Sequence, residues 1–302
     1  MAAGESTKVI VAALIANGCI SIAKFVAAFF TGSSAMISEG VHSLTDTVNQ
    51  ILLLYGIKAS KKPADKNFPF GHGKEIYFWS FVVAILIFAI GAGISFYEGI
   101  HHVIHPKRVE NPIVNYIVLG VSMVFESIAW LMAFKEFKTV KGNLGYFEAV
   151  QKGKDPSLFV ILFEDSAAML GLLVALGGIF IGQITGNFIY DGIASIIIGL
   201  ILGGTAIWLA IETKGLLIGE GADEEVSNGI HGIISELTSV ENVNEVLTLH
   251  MGPDFILVNV SVDFKNDLSA GEVENTIANM DKRIKEKFFR VKRVFIEAES
   301  RN

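Results

Sequence analysis

The chain has 302 residues, 51% of them hydrophobic and only 18% charged, against roughly 25% charged in an average soluble chain. Its formal net charge of −7 is concentrated in the C-terminal tail, and no basic patch suited to nucleic acid is present. A single cysteine, Cys19, excludes an intramolecular disulfide framework and a thiolate metal cluster.

In chain order, Met1 to Lys8 leads into a long apolar run that contains Lys24 and has no small-residue cleavage site. A retained first helix is therefore expected rather than a signal peptide. Six segments are long enough to span a bilayer: Val9 to Phe30, Ser34 to Ile57, Ile76 to His101, Ile113 to Phe134, Leu158 to Ile181 and Phe188 to Ile211. At the helical rise each covers about 33 Å or more, against a hydrocarbon core of ~30 Å. Lysines crowd the second connection (Lys58, Lys61, Lys62, Lys66, Lys74) and the fourth (Lys135, Lys138, Lys141, Lys152, Lys154), whereas the first and fifth carry no charge. That asymmetry puts the lysine-rich connections and both termini in the cytoplasm.

After Glu212 no spanning stretch remains. Glu220 to Leu237 reads as an amphipathic helix, Val243 to Leu249 as a strand, Gly252-Pro253 as a turn and Phe255 to Phe264 as a second strand. Ser269 and Glu272 form a capping box for another helix, and Val291 to Ala298 closes the region as a third strand. The expected fold class is a membrane all-α six-helix transmembrane bundle over residues 1–213, followed over 214–302 by a small cytoplasmic α/β domain in the order α-β-β-α-β. A core that small is marginal, which favours self-association.

The chemistry sits where the apolar segments are interrupted. His42 and Asp46 are four residues apart and share a helix face; Asn49 continues it, and Ser38 and Glu39 lie about one turn before His42. Glu164 and Asp165 interrupt the fifth segment. Ionisable groups at bilayer depth read as part of an ion or proton pathway. Imidazole and carboxylates on facing helices suit a borderline divalent metal such as Zn²⁺. The expected ligands are His42, Asp46 and Asp165, with Glu164 as fourth ligand or proton carrier. Neighbours on a helix point about 100° apart, so at most one of Glu164 and Asp165 aims straight at the site. The competing readings are a helix-packing role for His42 and a charge pair between Glu164 and Lys24. Glu126 is deep enough for a proton relay or for pairing with Lys24. Glu98 and Asp191 lie near segment ends, where headgroup water reaches them.

Three stretches carry a family resemblance: Ser38-Glu39-Gly40-Val41-His42-Ser43-Leu44-Thr45-Asp46, Phe68-Pro69-Phe70-Gly71-His72-Gly73-Lys74-Glu75, and Glu164-Asp165-Ser166-Ala167-Ala168. With six spans and a small C-terminal domain, the chain resembles the cation diffusion facilitator family of divalent-metal exporters, and within it the zinc transporter 9-like branch in a bacterial form. The resemblance implies a homodimer in the bacterial inner (cell) membrane, each protomer with a tetrahedral site between its second and fifth helices. It puts His42, Asp46 and Asp165 at the family's ligand positions. The remaining family ligand falls on Ile161, which cannot coordinate, and Glu164, three residues on, is the substitute at hand. A loop site common in relatives is reduced to Asp65, Phe68 and His72, either a weak metal site or a surface anchor for the loop. The family's C-terminal cluster falls on Asn244, Asn259, Glu297 and Glu299; without a histidine, that domain is expected to dimerise rather than to bind zinc tightly.

The expected function is efflux of Zn²⁺, with other divalent cations open, in exchange for protons by alternating access across the lipid bilayer. An imidazole of unperturbed pKa near 6.5 can trade its proton for metal, with Glu39, Asn49 and Glu126 as a proton pathway. No Gly-rich loop ending in Lys-Ser/Thr is present, so a gradient rather than ATP is the expected drive. No organic cofactor, nucleic-acid partner or enzymatic activity is expected. The alternatives are a Mn²⁺, Fe²⁺, Co²⁺ or Mg²⁺ exporter of the same fold, and a membrane-anchored metal sensor or scaffold.

Overall fold

The computed structural model describes residues 3–300. Helices α1 (Ala3–Thr31) and α2 (Ser34–Ser60) form a hairpin that turns at Gly32. Gly32 takes a φ of 69° and returns its N–H to Ala28 O at 2.8 Å, a left-handed C-cap that glycine adopts without a Cβ penalty. The third apolar stretch, expected as one regular helix, is instead α3 (Glu75–Leu86), a π-helical turn (Ile87–Ala92) and α4 (Gly93–Ile104). The turn brings Ala92 and Phe96 against glycines of a later helix, a fit that such a local insertion in the helix can supply. Then come α5 (Pro112–Lys141), α6 (Tyr146–Lys152), α7 (Pro156–Thr185) and α8 (Ile189–Ile218). The short α6 lies inside the fourth connection, where the sequence suggested only a lysine-rich loop.

Among the described residues four stretches, Glu75–Ile104, Pro112–Lys141, Pro156–Thr185 and Ile189–Ile218, are long and apolar enough to cross a membrane, at 30 residues each. They leave Ile113 70%, Phe180 56% and Ile211 62% exposed, an outward apolar coat of the kind that marks contact with lipid. The chain is thus a mostly helical multi-pass membrane protein. Buried Leu119, Phe159, Leu172, Ile198, Leu202 and Leu209 form the centre of the bundle. A tight seam runs between α4 and α8: a Cβ on Gly99 would meet the Gly192 carbonyl at 2.8 Å, and one on Gly192 would meet the Gly99 carbonyl at 2.9 Å. Small residues let backbones approach in this way, and dispersion then holds the helices together.

The C-terminal region is mixed α/β: α9 (Glu224–Ser235), β1 (Val240–Gly252), β2 (Phe255–Phe264), α10 (Ala270–Lys287) and β3 (Val291–Ala298). The sheet order is β1-β2-β3, with β1 and β2 antiparallel and β2 and β3 parallel. Parallel neighbours need a crossover, and α10 supplies it. Ile256, Val258, Val260 and Val262 alternate onto one face and pack on Ile230, Ile233, Ile234, Met280 and Ile284 from the helices. Ser269 caps α10, with Glu272 closing the capping box. The helix expected from Glu220 begins only at Glu224, because the Glu220 carbonyl accepts from His250 N–H at 3.0 Å and is drawn out of helical pairing.

This region docks on one end of the bundle. Lys154 Nζ lies 2.9 Å from Glu220 Oε1, Lys74 Nζ donates to Leu217 O at 3.4 Å, and Gly73 packs against Met251 and Gly252. The connections after α2 and α6 therefore face the same side as the sheet, and the N-terminal end of α2 lies at the opposite end.

Candidate metal site

Along one face of α2, Ser38, His42, Asp46 and Asn49 are buried, with residue exposures of 0%, 1%, 7% and 0%. Their spacing of three to four residues stacks them in a column. His42 Nδ1 stands 3.1 Å from Asp46 Oδ1, yet the two are not aligned as a hydrogen bond. Ser38 Oγ, both ring nitrogens of His42, Asp46 Oδ1 and Asn49 Oδ1 all lack a hydrogen-bond partner. Each unmade buried hydrogen bond costs about 1–3 kcal/mol, so this column is a row of open donors and acceptors that a cation or protons can satisfy.

Facing it, α7 starts at Asp155, which caps Ser157 N, with Pro156 pre-set for the first turn. That start carries Glu164, 3% exposed, to the column. Asn49 Nδ2 donates to Glu164 Oε1 at 2.6 Å, and the carboxyls of Asp46 and Glu164 lie close to each other. Asp165 is half-buried and within electrostatic reach of His42, Asp46, Glu164 and Glu126. The structure thus joins His42, Asp46, Asn49 and Glu164 directly and leaves Asp165 beside them. Among the described residues, no three His, Cys, Asp or Glu side chains converge tightly enough to hold a metal ion.

Lys24 pairs differently from either expectation. Its Nζ lies 2.9 Å from Glu39 Oε2 and 2.7 Å from Ser43 Oγ, and both ions are buried, at 1% and 0% side-chain exposure. Glu39 faces Lys24 across the α1–α2 hairpin, whereas Glu164 is held by Asn49. The other oxygen of Glu39 sits in a notch on α7 where a Cβ at Gly171 would stand 2.5 Å away. Glu126 on α5 is 8% exposed, within electrostatic reach of His42, Asp46 and Asp165.

Asp191, expected near headgroup water, is 1% exposed. Its Oδ1 accepts from Ser33 Oγ at 2.7 Å, and its Oδ2 accepts from the N–H of Ser34 at 2.5 Å and of Ala35 at 3.3 Å. A carboxylate from α8 therefore caps α2, where the first-turn amides and the helix dipole favour negative charge. No local signal marks this role: Asp191 and Ser34 are 157 residues apart.

In the loop after α2, His72 Nε2 meets Asp65 Oδ2 at 2.9 Å, and Asp65 Oδ1 accepts from Asn67 N and Phe68 N at 2.8 and 2.9 Å. The His72 ring, then the Phe68 N–H, hold the Asp65 carboxyl below the usual carboxylate range. Phe68 lies on the His72 ring, centroids 4.4 Å apart, so the trio closes a loop. In the C-terminal sheet Asn244 Nδ2 donates to Ser261 Oγ and to Glu299 O, and Ser261 Oγ donates to Glu299 Oε2 at 2.6 Å. Asn259 and Glu297 stay exposed. A cavity of about 1040 Å³ lies away from the α2–α7 column, where Phe137, Lys154 and Phe159 meet Glu220, Asp254 and Arg290. It is a cleft at the junction with the sheet and shares no residue with the column.

Helices of membrane length thus surround a buried, open imidazole–carboxylate column. The chain belongs to the cation diffusion facilitator family: residues 10–218 match the family model for the cation efflux transmembrane domain. It is 34% identical over 260 residues to the human protein "Proton-coupled zinc antiporter SLC30A9, mitochondrial", covering 85% of this chain and 46% of that one. It is 28% identical over 266 residues to metal tolerance protein C4 of Arabidopsis thaliana, covering 87% and 58%. With the manganese efflux system protein MneP of Bacillus subtilis it shares 24% over 298 residues, covering 96% and 95%. The chain spans about half the length of the curated zinc antiporters it matches.

Proposed function

We propose that this protein exports divalent metal cations, Zn²⁺ foremost, in exchange for protons, by alternating access to the column between α2 and α7. The observation that carries this reading is the row of unpartnered, buried polar atoms on α2 facing Glu164. Metal and protons compete for the same lone pairs: imidazole and carboxylates must shed protons to bind a cation and regain them on release. His42, Asp46 and Glu164 are the proposed ligands, with Asp165 the fourth once a cation draws Glu164 away from Asn49. Protons leave and return by way of Glu39, Asn49 and Glu126. In this reading α1 and α2 also span, giving six membrane segments in residues 1–213. Residues 214–302, in the order α-β-β-α-β, form a cytoplasmic domain through which two copies pair. The protein then resides in a bacterial inner membrane with both termini inside, and the Asp65–His72 pair acts as a loop clamp more than as a metal site.

One observation favours a second cargo. A column with one imidazole and otherwise oxygen donors is harder than a two-histidine site and suits Mn²⁺ as well, and one relative is named for manganese efflux. The deciding experiment is metal-driven proton flux in proteoliposomes with Zn²⁺, Mn²⁺, Co²⁺ and Mg²⁺, beside Asp46→Asn. Zinc-preferring flux lost in Asp46→Asn supports the first reading, and manganese preference moves the cargo while keeping the machine. Absence of flux from folded protein with every metal would sink transport and leave a sensor or scaffold.

A further inference from the structure

We propose that Asp191 is the pivot of α2: a positioning residue that keeps the N-terminal end of α2 fastened to α8 throughout the transport cycle, while the column beyond it swings. The proposal rests on the reading above, in which His42 and Asp46 carry the cation.

The attachment has two points. Asp191 accepts from Ser33 Oγ and from two first-turn amides of α2, so α8 completes that end of the helix together with its own cap Ser33, whose Oγ accepts from Met36 N–H at 3.2 Å. One turn further along α8, Ser195 Oγ lies 2.7 Å from Ser34 Oγ, and both residues are buried. Residues four apart on α8 share a face, so the two contacts act as a clamp. The body that holds the clamp is rigid in its turn, because α8 and α4 meet backbone to backbone at Gly192 and Gly99. His102 on α4 approaches the same carboxylate, Nε2 to Oδ2 at 3.8 Å.

Past this clamp the character of α2 changes. From Ser38 to Asn49 the face with Ser38, His42, Asp46 and Asn49 carries unpartnered atoms and is joined to α7 through Asn49, while Ser21 and Lys24 of α1 hold Gly40, Glu39 and Ser43, so that α1 travels with α2. A helix saturated at one end and open along its middle turns about the saturated end. From Ser34 the rise to Asp46 is about 18 Å. A rotation of roughly 10° then moves Asp46 by about 3 Å, more than the ~2 Å length of a zinc–ligand bond, which is enough to open or close a coordination site without breaking the clamp.

The test uses full-length protein in liposomes with Cys19→Ser as background, and Ser34→Cys with Ser195→Cys oxidised by diamide. Zinc-driven and manganese-driven proton flux is read before and after oxidation, with and without Asp191→Asn. The expected results are that the cross-linked protein keeps at least about half its flux, and that Asp191→Asn lowers flux at least about tenfold. The cross-link should then restore Asp191→Asn, because a covalent tie replaces a pivot but cannot replace a proton carrier or ligand. Flux blocked by the cross-link would mean the contact opens in each cycle and acts as a gate, and failure to restore Asp191→Asn would likewise overturn the pivot. A second readout needs no transport: the rate of cross-linking should be the same with Zn²⁺, with Mn²⁺ and with chelator, and a rate that changes with metal also overturns it. Flux that survives Asp46→Asn would instead defeat the site reading, with the cross-linking rate still judging the pivot.

Discussion

Asp191 and Asp46 are both buried against α2, yet their surroundings are opposite. Asp191 sits at the helix end with both oxygens engaged by hydroxyl and amide donors. Asp46 sits three turns along with one oxygen unpartnered and the Glu164 carboxyl close by. A saturated carboxylate is part of the scaffold, since anything added must displace bonds already made. An unsaturated one is a vacancy in the hydrogen-bond network, kept open against a cost of about 1–3 kcal/mol per unmade bond. The same residue type thus fixes one end of a helix and leaves an open acceptor in its middle.

The most severe test of that contrast is at the column. Asp46→Asn and Glu164→Gln are expected to bring metal-driven flux down by about 100-fold or more, as loss even of an outer partner of a metal ligand can cost up to that. The melting temperature of Asp46→Asn in detergent should stay level or rise, because the Asp46 oxygen beside His42 has no hydrogen bond to lose. A marked fall in melting temperature with flux retained would make Asp46 scaffold. Lys24→Met should show the reverse pattern. It strands Glu39 as an unpaired buried charge, worth about 3–5 kcal/mol of destabilisation, and Lys24→Met with Glu39→Gln should recover most of it in denaturant titration. Failure of the double variant to recover would mean that Lys24 acts beyond its pair. Next in size, Gly171→Ala pushes a Cβ into the Glu39 notch, with an expected overpacking cost of about 1–3 kcal/mol; unchanged stability would show that Glu39 moves freely.

How much of this was legible depended on the kind of signal. His42, Asp46 and Glu164 are conspicuous because polar residues in an apolar helix stand out, and Ser269 with Glu272 announces α10 within one turn. Which carboxylate Lys24 chooses was not legible. Glu39, Glu126 and Glu164 all interrupt apolar segments of the sequence, and only hairpin geometry and the Gly171 notch decide among them. The cap supplied by Asp191 is tertiary from end to end. The π-helical turn was hidden for another reason: Ile87 to Ala92 is apolar or glycine throughout, so no polar residue marks a change of phase.

The smallest effect lies in the loop after α2. Because the folded carboxyl of Asp65 titrates below its unfolded value near 3.9, its clamp on His72 is fully present above that value. The clamp is lost as pH falls through the lower folded value. Proteolysis between Lys61 and Lys74 should therefore be slow near neutrality and rise below about pH 4, whereas Asp65→Asn should be cut faster at every pH with flux changed less than about twofold. Equal cutting rates in the two proteins would show that the pair holds nothing.

The π-helical turn between α3 and α4 has a mechanical consequence. One half of that membrane segment is welded to α8 at Gly99, and the other is tied through Gly73 to the C-terminal sheet. A regular helix between two such anchors would be a rigid strut. The extra residue stored in Ile87–Ala92 makes it a spring instead: letting that residue out lengthens the segment by about 1.5 Å and turns one half by about 100° relative to the other. Strain arising at the sheet can then be absorbed inside the bilayer, so that the two anchored ends need not move in step.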